Sequence, residues 1–193
     1  MPGPLPADGL VVRSDAEARH LVEAARRAGE ELPVVGLVGG DLCRTLGGTG
    51  DEARLHGPDA VTVTVDVGAA LVDGRLHWFV AHLVARRPWW RGRALVAMNA
   101  QWLGGWDLGP RAHPGDGLLD VSDGSLPLRQ RLQARRRATT GTHLPHPGIR
   151  TSRVPAFQAD LDPALDVWLD GERIGRASAL SVRVEADALT VVV

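Results

Sequence analysis

"LPVVGLVGGDLCRTLGG", residues 32 to 48, decides how the chain is read. A short apolar run reaches Gly39-Gly40-Asp41, and a helix-like segment closed by Gly47-Gly48 follows. A strand that delivers glycines to a helix N-terminus has the layout of a phosphate-binding loop, because small residues let backbone N–H groups approach an anion. Upstream, "SDAEARHLVEAARRAG" (14 to 29) offers Ser14 or Asp15 as N-cap and an acidic first turn. It places Ala18, Leu21, Val22 and Ala25 at helical spacing and stops at Gly29. With Leu10 to Val12 as a very short strand, the opening third is a β-α-β-α fragment consistent with a few parallel strands. Residues 1 to 9 read as a flexible tail.

Beyond residue 60 the pattern changes. "AVTVTVDV" alternates, with Val61, Val63, Val65 and Val67 on one face. "LVDGRLHWFVAHLV" carries the turn Asp73-Gly74 between apolar runs, and "VWLDGERIG" carries Asp170-Gly171. "RALVAMNAQWL", "GLLDVSDG", the alternation from Ala179 to Glu185 and "ALTVVV" continue the series of short strands. One helix interrupts them, "LPLRQRLQARRRA". This larger part reads as an antiparallel β-sandwich.

The 193 residues suffice for one domain or two small ones with a real core. A formal charge of -1 provides no global field to recruit nucleic acid. Every basic residue is arginine, so lysine general bases and P-loop lysines are excluded. Cys43 is the only cysteine, which excludes an internal disulfide framework and favours a reducing compartment. "MPGPLPADG" has no basic or apolar leader segment, and no apolar run approaches the ~20 residues of a membrane span. A cytoplasmic protein is expected.

Several clusters bear on chemistry. Asp107, Asp116 and Asp120 lie in "NAQWLGGWDLGPRAHPGDGLLDV" (99 to 121) and could hold a hard cation such as Mg²⁺, although Gly115-Asp116-Gly117 also reads as a plain turn. Asp170 and Glu172 could form a general base and its partner, or merely shape a hairpin. His143 and His146 have His-x-x-His spacing without further ligands nearby to complete a zinc set. "RQRLQARRR" carries five arginines that could meet anionic headgroups, and "RRPWWRGR" sets two tryptophans among four arginines as a ridge, an interfacial anchor or cation-π packing.

Taken together these segments resemble the bacterial diacylglycerol kinase and sphingosine kinase family of lipid kinases. "DLCRTLG" is similar to the end of that family's G-T-G-N-D-hydrophobic-A-R-x-L-G segment. "VDVGAALVDGRLHWFV" resembles its V-D-L-G…N-G-R-x-F strand pair, and residues 99 to 121 its N-G-x-x-x-G-G-G…D-D-G-L-L-D-V segment. "GTHLPHPGIR" and "VWLDGERIG" resemble its G-x-H-x-x-H-P-x-V and V-x-L-D-G-E-x-x-G. The likeness runs from about residue 10 onward. It implies an α+β fold like that of lipid kinases and NAD kinases: a truncated N-terminal α/β nucleotide-binding lobe (10–58) packed on a C-terminal antiparallel β-sandwich (59–193).

The departures are as informative. "VVRSDAEAR" stands where the family has G-G-D-G-T, which removes the glycines of the ATP cradle and adds carboxylates. "VGGDLCR" stands where P-x-G-T-G-N-D-x-A-R is expected, and Gly115 replaces the first acid of the acidic pair. The resemblance implies Asp170 and Glu172 as catalytic residues, Gly39, Gly40 and Asp41 as the nucleotide contact, and Asp116 as the metal ligand. The expectation is a lipid-kinase-like pseudoenzyme lacking the ATP phosphate loop, acting as a ligand-binding or regulatory module with no assigned cofactor. The alternatives are an active lipid kinase or phosphotransferase using Mg-ATP, with a minimal or partner-completed site, and a peripheral membrane or assembly protein. A small-molecule or lipid ligand and no nucleic acid are expected. A homodimer or partner subunit at the bare edge of the lobe follows from its truncation.

Overall fold

The computed structural model describes residues 3–6, 9–144 and 146–193, with only the backbone of Trp89. The chain begins with β1 (Leu10–Val12), α1 (Asp15–Ala28), β2 (Val35–Leu37), α2 (Gly40–Thr45) and a single-turn α3 (Glu52–Leu55). β1 and β2 pair in parallel. Helix α1 forms as its caps dictate: the Ser14 hydroxyl accepts the Glu17 N–H, and Gly29 closes the helix in the left-handed region at φ 71°. Its apolar stripe, Ala18, Val22 and Ala25, is buried.

The strands of the second part are β3 (Thr62–Val72), β4 (Arg75–Phe79), β5 (His82–Arg86), β6 (Arg93–Met98), β7 (Trp102–Leu103), β8 (Trp106–Asp107) and β9 (Leu119–Ser125). Helix α4 (Leu128–Ala138) follows, then β10 (Ile149–Val154), β11 (Ala156–Leu169) and β12 (Glu172–Val192). β3–β4 and β11–β12 turn at Asp73-Gly74 and Asp170-Gly171, all four residues having positive φ, as two-residue hairpin loops require. Ten strands make one sheet, in the order β1-β2-β12-β11-β5-β6-β9-β10, with β3 on the other side of β12 and β4 outside β3. β7 and β8 form a separate small hairpin.

Alternation along the strands sets two cores. Phe79, Leu83, Leu95, Ala97, Leu119, Val167 and Leu180 meet in the sandwich core. Val65 and Val67 of β3, Val35 and Leu37 of β2, and Val22 of α1 meet with Leu189 and Val191 in the core of the lobe. The two parts share a strand. β12 pairs with β11 from Glu172 to Arg183 and with β3 from Leu180 to Val192, and its end pairs in parallel with β2 through Val191↔Val35, so one strand belongs to both. The segment Gly3 to Pro6, read from sequence as tail, is pinned: Leu5 is buried against Leu55 and Val192, and its N–H donates to the Leu55 carbonyl at 2.8 Å. Residues 1, 2, 7 and 8 of that stretch lie outside the described residues. Among the described residues, no helix is long and apolar enough to cross a membrane.

Candidate functional site

The glycine loop sits where β2 meets α2, and its first contact is with the preceding turn. The Asp15 carboxylate accepts the backbone N–H groups of Asp41 and Leu42 at 2.6 and 3.0 Å. These are the donors that a phosphate would use at the start of such a helix. Gly39 and Gly40 are explained by the same contact. A Cβ at 39 would stand 2.3 Å from the Arg13 carbonyl oxygen, and one at 40 would stand 2.4 Å from Asp15 Oδ1. The glycines let one turn pack on another.

Asp41 faces the opposite way. Its Oδ2 accepts the Gly104 N–H at 2.8 Å and lies 3.1 Å from His82 Nε2. The β7–β8 hairpin closes over this point, since Arg44 donates to the Gly104 carbonyl and stacks on Trp102 at 3.5 Å. Asp170 completes the group from the β11–β12 turn. It is buried, and it accepts the N–H groups of Val80, Ala81 and His82 at 2.9, 2.9 and 3.0 Å. Three acids and one imidazole thus converge from four elements.

Their electrostatics follow from burial and from one another. Burial pushes the Asp170 carboxyl up to about 6, against the pull of His82 and the N–H groups. Burial also raises Asp15, opposed by its bonds to Asp41 and Leu42. For His82, burial is outweighed by the bond to Asp41 and the charges of Asp170 and Asp15, so its pKa rises. Asp41 is lowered, since the bonds from His82 and Gly104 exceed the effect of burial.

Ligand atoms of Asp15, Asp41 and His82 lie within 4.8 Å of one another, so among the described residues these three form a group that could hold a divalent cation. The fit is partial. The carboxylates keep spare lone pairs, but a cation there would have to displace His82 from Asp41.

The residues read from sequence are only partly brought together. Asp41 and Asp170 share His82 as neighbour. Glu172 instead pairs with Arg19 and His20 on α1. Asp116 is outside the cluster: its carboxylate pairs with Arg153 and accepts the Leu118 N–H. His146 accepts the Gly148 N–H within its own turn, while His143 is buried elsewhere and is held low by burial. His82 was missed by sequence reading. Its one signal is a histidine inside the apolar run "FVAHLVA".

A second feature lies on the outer face of the sandwich. Along β5 and β6, Leu83, Ala85, Leu95 and Ala97 point into the core. Arg86, Ala94 and Val96 therefore point the other way. There α4 spans the sheet and leaves a cavity of about 640 Å³. Trp90, Trp106 and Trp168 line it, as do Leu128 and Leu132 of α4. That volume lies within the range of small-molecule sites.

Over residues 60–193 the sequence matches the family described as the YegS C-terminal NAD kinase beta sandwich-like domain. The fold is similar to that of "a putative diacylglycerol kinase from Bacillus anthracis str. Sterne", with a TM-score of 0.70 at 16% identity over 95% of this chain and 77% of that one. A second structure so described, from the same organism, gives 0.65 at 14% identity over 93% and 83% of the two chains. A third from that organism, described as a diacylglycerol kinase, gives 0.55 at 14% identity over 83% and 66%. No curated protein matches the chain.

Proposed function

The chain belongs to the family of the YegS C-terminal NAD kinase beta sandwich-like domain, and from that premise we propose a lipid-kinase-like protein without a working ATP phosphate loop. It serves as a cytoplasmic ligand-binding or regulatory module of the diacylglycerol kinase type. The observation that carries this reading is the Asp15 carboxylate on the N–H groups of Asp41 and Leu42. Phosphoryl transfer depends on positioning and on neutralising the phosphates. Here the donors are occupied by the protein's own anion, and no lysine exists to offset it. The outer cavity is then the working site, and it takes a small molecule or lipid. Calorimetry with Mg-ATP tests the first part: binding no tighter than roughly millimolar is expected, and a micromolar dissociation constant would overturn it.

One observation favours a second reading, an active phosphotransferase. A carboxyl pushed to about 6 at Asp170 suits a general base near neutral pH. Asp15, Asp41 and His82 would hold the magnesium ion that neutralises phosphate charge in such a reaction. ATP-dependent phosphorylation of diacylglycerol, lost in Asp41→Asn, would establish it. A third reading places the protein at a membrane surface, because Leu128 and Leu132 are 63% and 55% exposed on the arginine-rich α4. For the lobe we propose a homodimer or a partner subunit along β1, which pairs with β2 on one side and leaves Leu10 exposed.

A further inference from the structure

The β7–β8 hairpin touches both the acidic group and the outer cavity. It lies outside the ten-stranded sheet, and its strands, two residues each, pair with one another. Its turn faces the acidic group: the Gly104 N–H donates to Asp41 Oδ2 at 2.8 Å, and the Gly104 carbonyl accepts from Arg44 at 2.9 Å. Two residues further on, Trp106 lines the cavity. There it meets Trp90 edge to face at 5.9 Å, and Arg135 lies over its ring at 5.3 Å.

A second link runs beside the first. The Gln101 N–H donates to the Thr45 hydroxyl at 3.0 Å, and that hydroxyl donates to the Asp41 carbonyl at 2.7 Å. The Gln101 side chain donates to Asp107 Oδ2 at 2.9 Å, and the charge of Asp107 acts on His143, which lines the cavity. Asp107 Oδ1 and His143 Nδ1 are buried without a hydrogen-bond partner among the described residues, so polar capacity is left over at this wall.

The hairpin is fastened unevenly. A Cβ at Gly104 or Gly105 would meet nothing within 4 Å, so the turn is held by its hydrogen bonds and by Arg44 on Trp102 at 3.5 Å, not by close packing. On its other side stands the cavity of about 640 Å³, with Trp106 half-buried beside it.

We propose that this hairpin couples the outer cavity to the Asp41–His82 group: an occupant resting on Trp106 holds the Gly104 N–H on Asp41, and without one the hairpin swings off and opens the group to water. The inference rests on the reading of the cavity as the working site and supplies its regulation. Coupling of two sites needs an element with two arrangements that both sites bias. A hairpin off the main sheet, bonded at one site and unsupported at the other, opens locally at small cost and meets that need.

The test is amide hydrogen exchange on the full chain, read at Gly104. The amides of Val80 and Ala81 are the controls, because they bond Asp170 in the same group without the hairpin. In the unliganded protein, Trp106→Leu should speed exchange at Gly104 roughly tenfold, through loss of the ring pair and the guanidinium stacking, with the controls unchanged. The cavity probe is N-phenylnaphthylamine, a neutral aromatic followed by its fluorescence. Saturation with it should slow exchange at Gly104 about fivefold or more, as coupled sites do. Coupling is reciprocal, so Arg44→Ala, which frees the Gly104 carbonyl on the acidic side, should weaken probe binding about fivefold. Unchanged exchange at Gly104 in Trp106→Leu would overturn the proposal, and so would an equal rise at all three amides, which is global loosening. Unchanged probe affinity in Arg44→Ala would overturn it as well. A bound probe that leaves Gly104 exchange unaltered would overturn the coupling and leave the cavity reading standing. If the probe does not bind, the cavity reading fails and the ligand half of the coupling fails with it.

Discussion

Asp15 caps a helix it does not belong to: its carboxylate holds the N–H of Asp41 at 2.6 Å, joining the turn after β1 to the turn after β2. The contact fastens two loops that would otherwise be free to receive an anion. Removing it should therefore be felt in stability. Asp15→Ala is expected to cost about 1–2 kcal/mol, the range for loss of a helix cap with buried donors. Urea unfolding measures it, and a cost below a few tenths would mean that the cap is idle.

Gly40 separates a packing role from a nucleotide role. Its φ is +93° and a Cβ there would meet Asp15 Oδ1 at 2.4 Å. Gly40→Ala should lower stability by about 2–3 kcal/mol with no nucleotide present. A glycine kept only for phosphate approach would show no loss in the unliganded protein.

Asp170 predicts a pH dependence with a definite sign. Its carboxyl ionises near 3.8 in the unfolded chain and at about 6 when folded. Stability from this group is complete below pH 4 and is lost as pH rises to about 6, by roughly 3 kcal/mol at most. Asp170→Asn cannot titrate, so the gap in unfolding free energy between wild type and variant should narrow over that window. His82, whose folded pKa is raised, acts in the same direction in the next window, losing its contribution as pH climbs past its unfolded value. A gap independent of pH would contradict the assignment.

The membrane reading is tested away from the cavity. Arg129, Arg136 and Arg137 are exposed on α4 and do not line it. If α4 docks on anionic lipid, neutralising all three with glutamine should weaken cosedimentation with phosphatidylserine vesicles about a hundredfold, at ~1 kcal/mol each. Binding of N-phenylnaphthylamine in the cavity should be unchanged.

Much of this architecture was legible before any coordinates. Ser14 and Gly29 marked the ends of α1, the two Asp-Gly pairs marked hairpins, and the valine alternation marked β3 as a strand, because each is a local rule with a local cause. The site was legible only in pieces. Asp41 and Asp170 stood out by motif, but their common neighbour His82 is distant from both in sequence, and only the sheet order brings it between them. The path of β11 was hidden for a different reason. Pro163 and the register shift between Asp160 and Leu165 interrupt its alternation, so a strand of 14 residues carried no clean period. The cavity left no trace at all, since the outward positions of β5 and β6 read as ordinary strand residues until α4 is laid across them.

The sharing of β12 between both parts has a consequence for how the molecule folds. β1 and β2 reach the rest of the sheet through Val191 and Val192, which pair with Val35 and Gly36 from far along the sequence. Until that pairing forms, the lobe has parallel strands only three residues long. Pairings this distant along the chain are slow to form. The lobe therefore assembles late in folding, when the distant strand β12 reaches it.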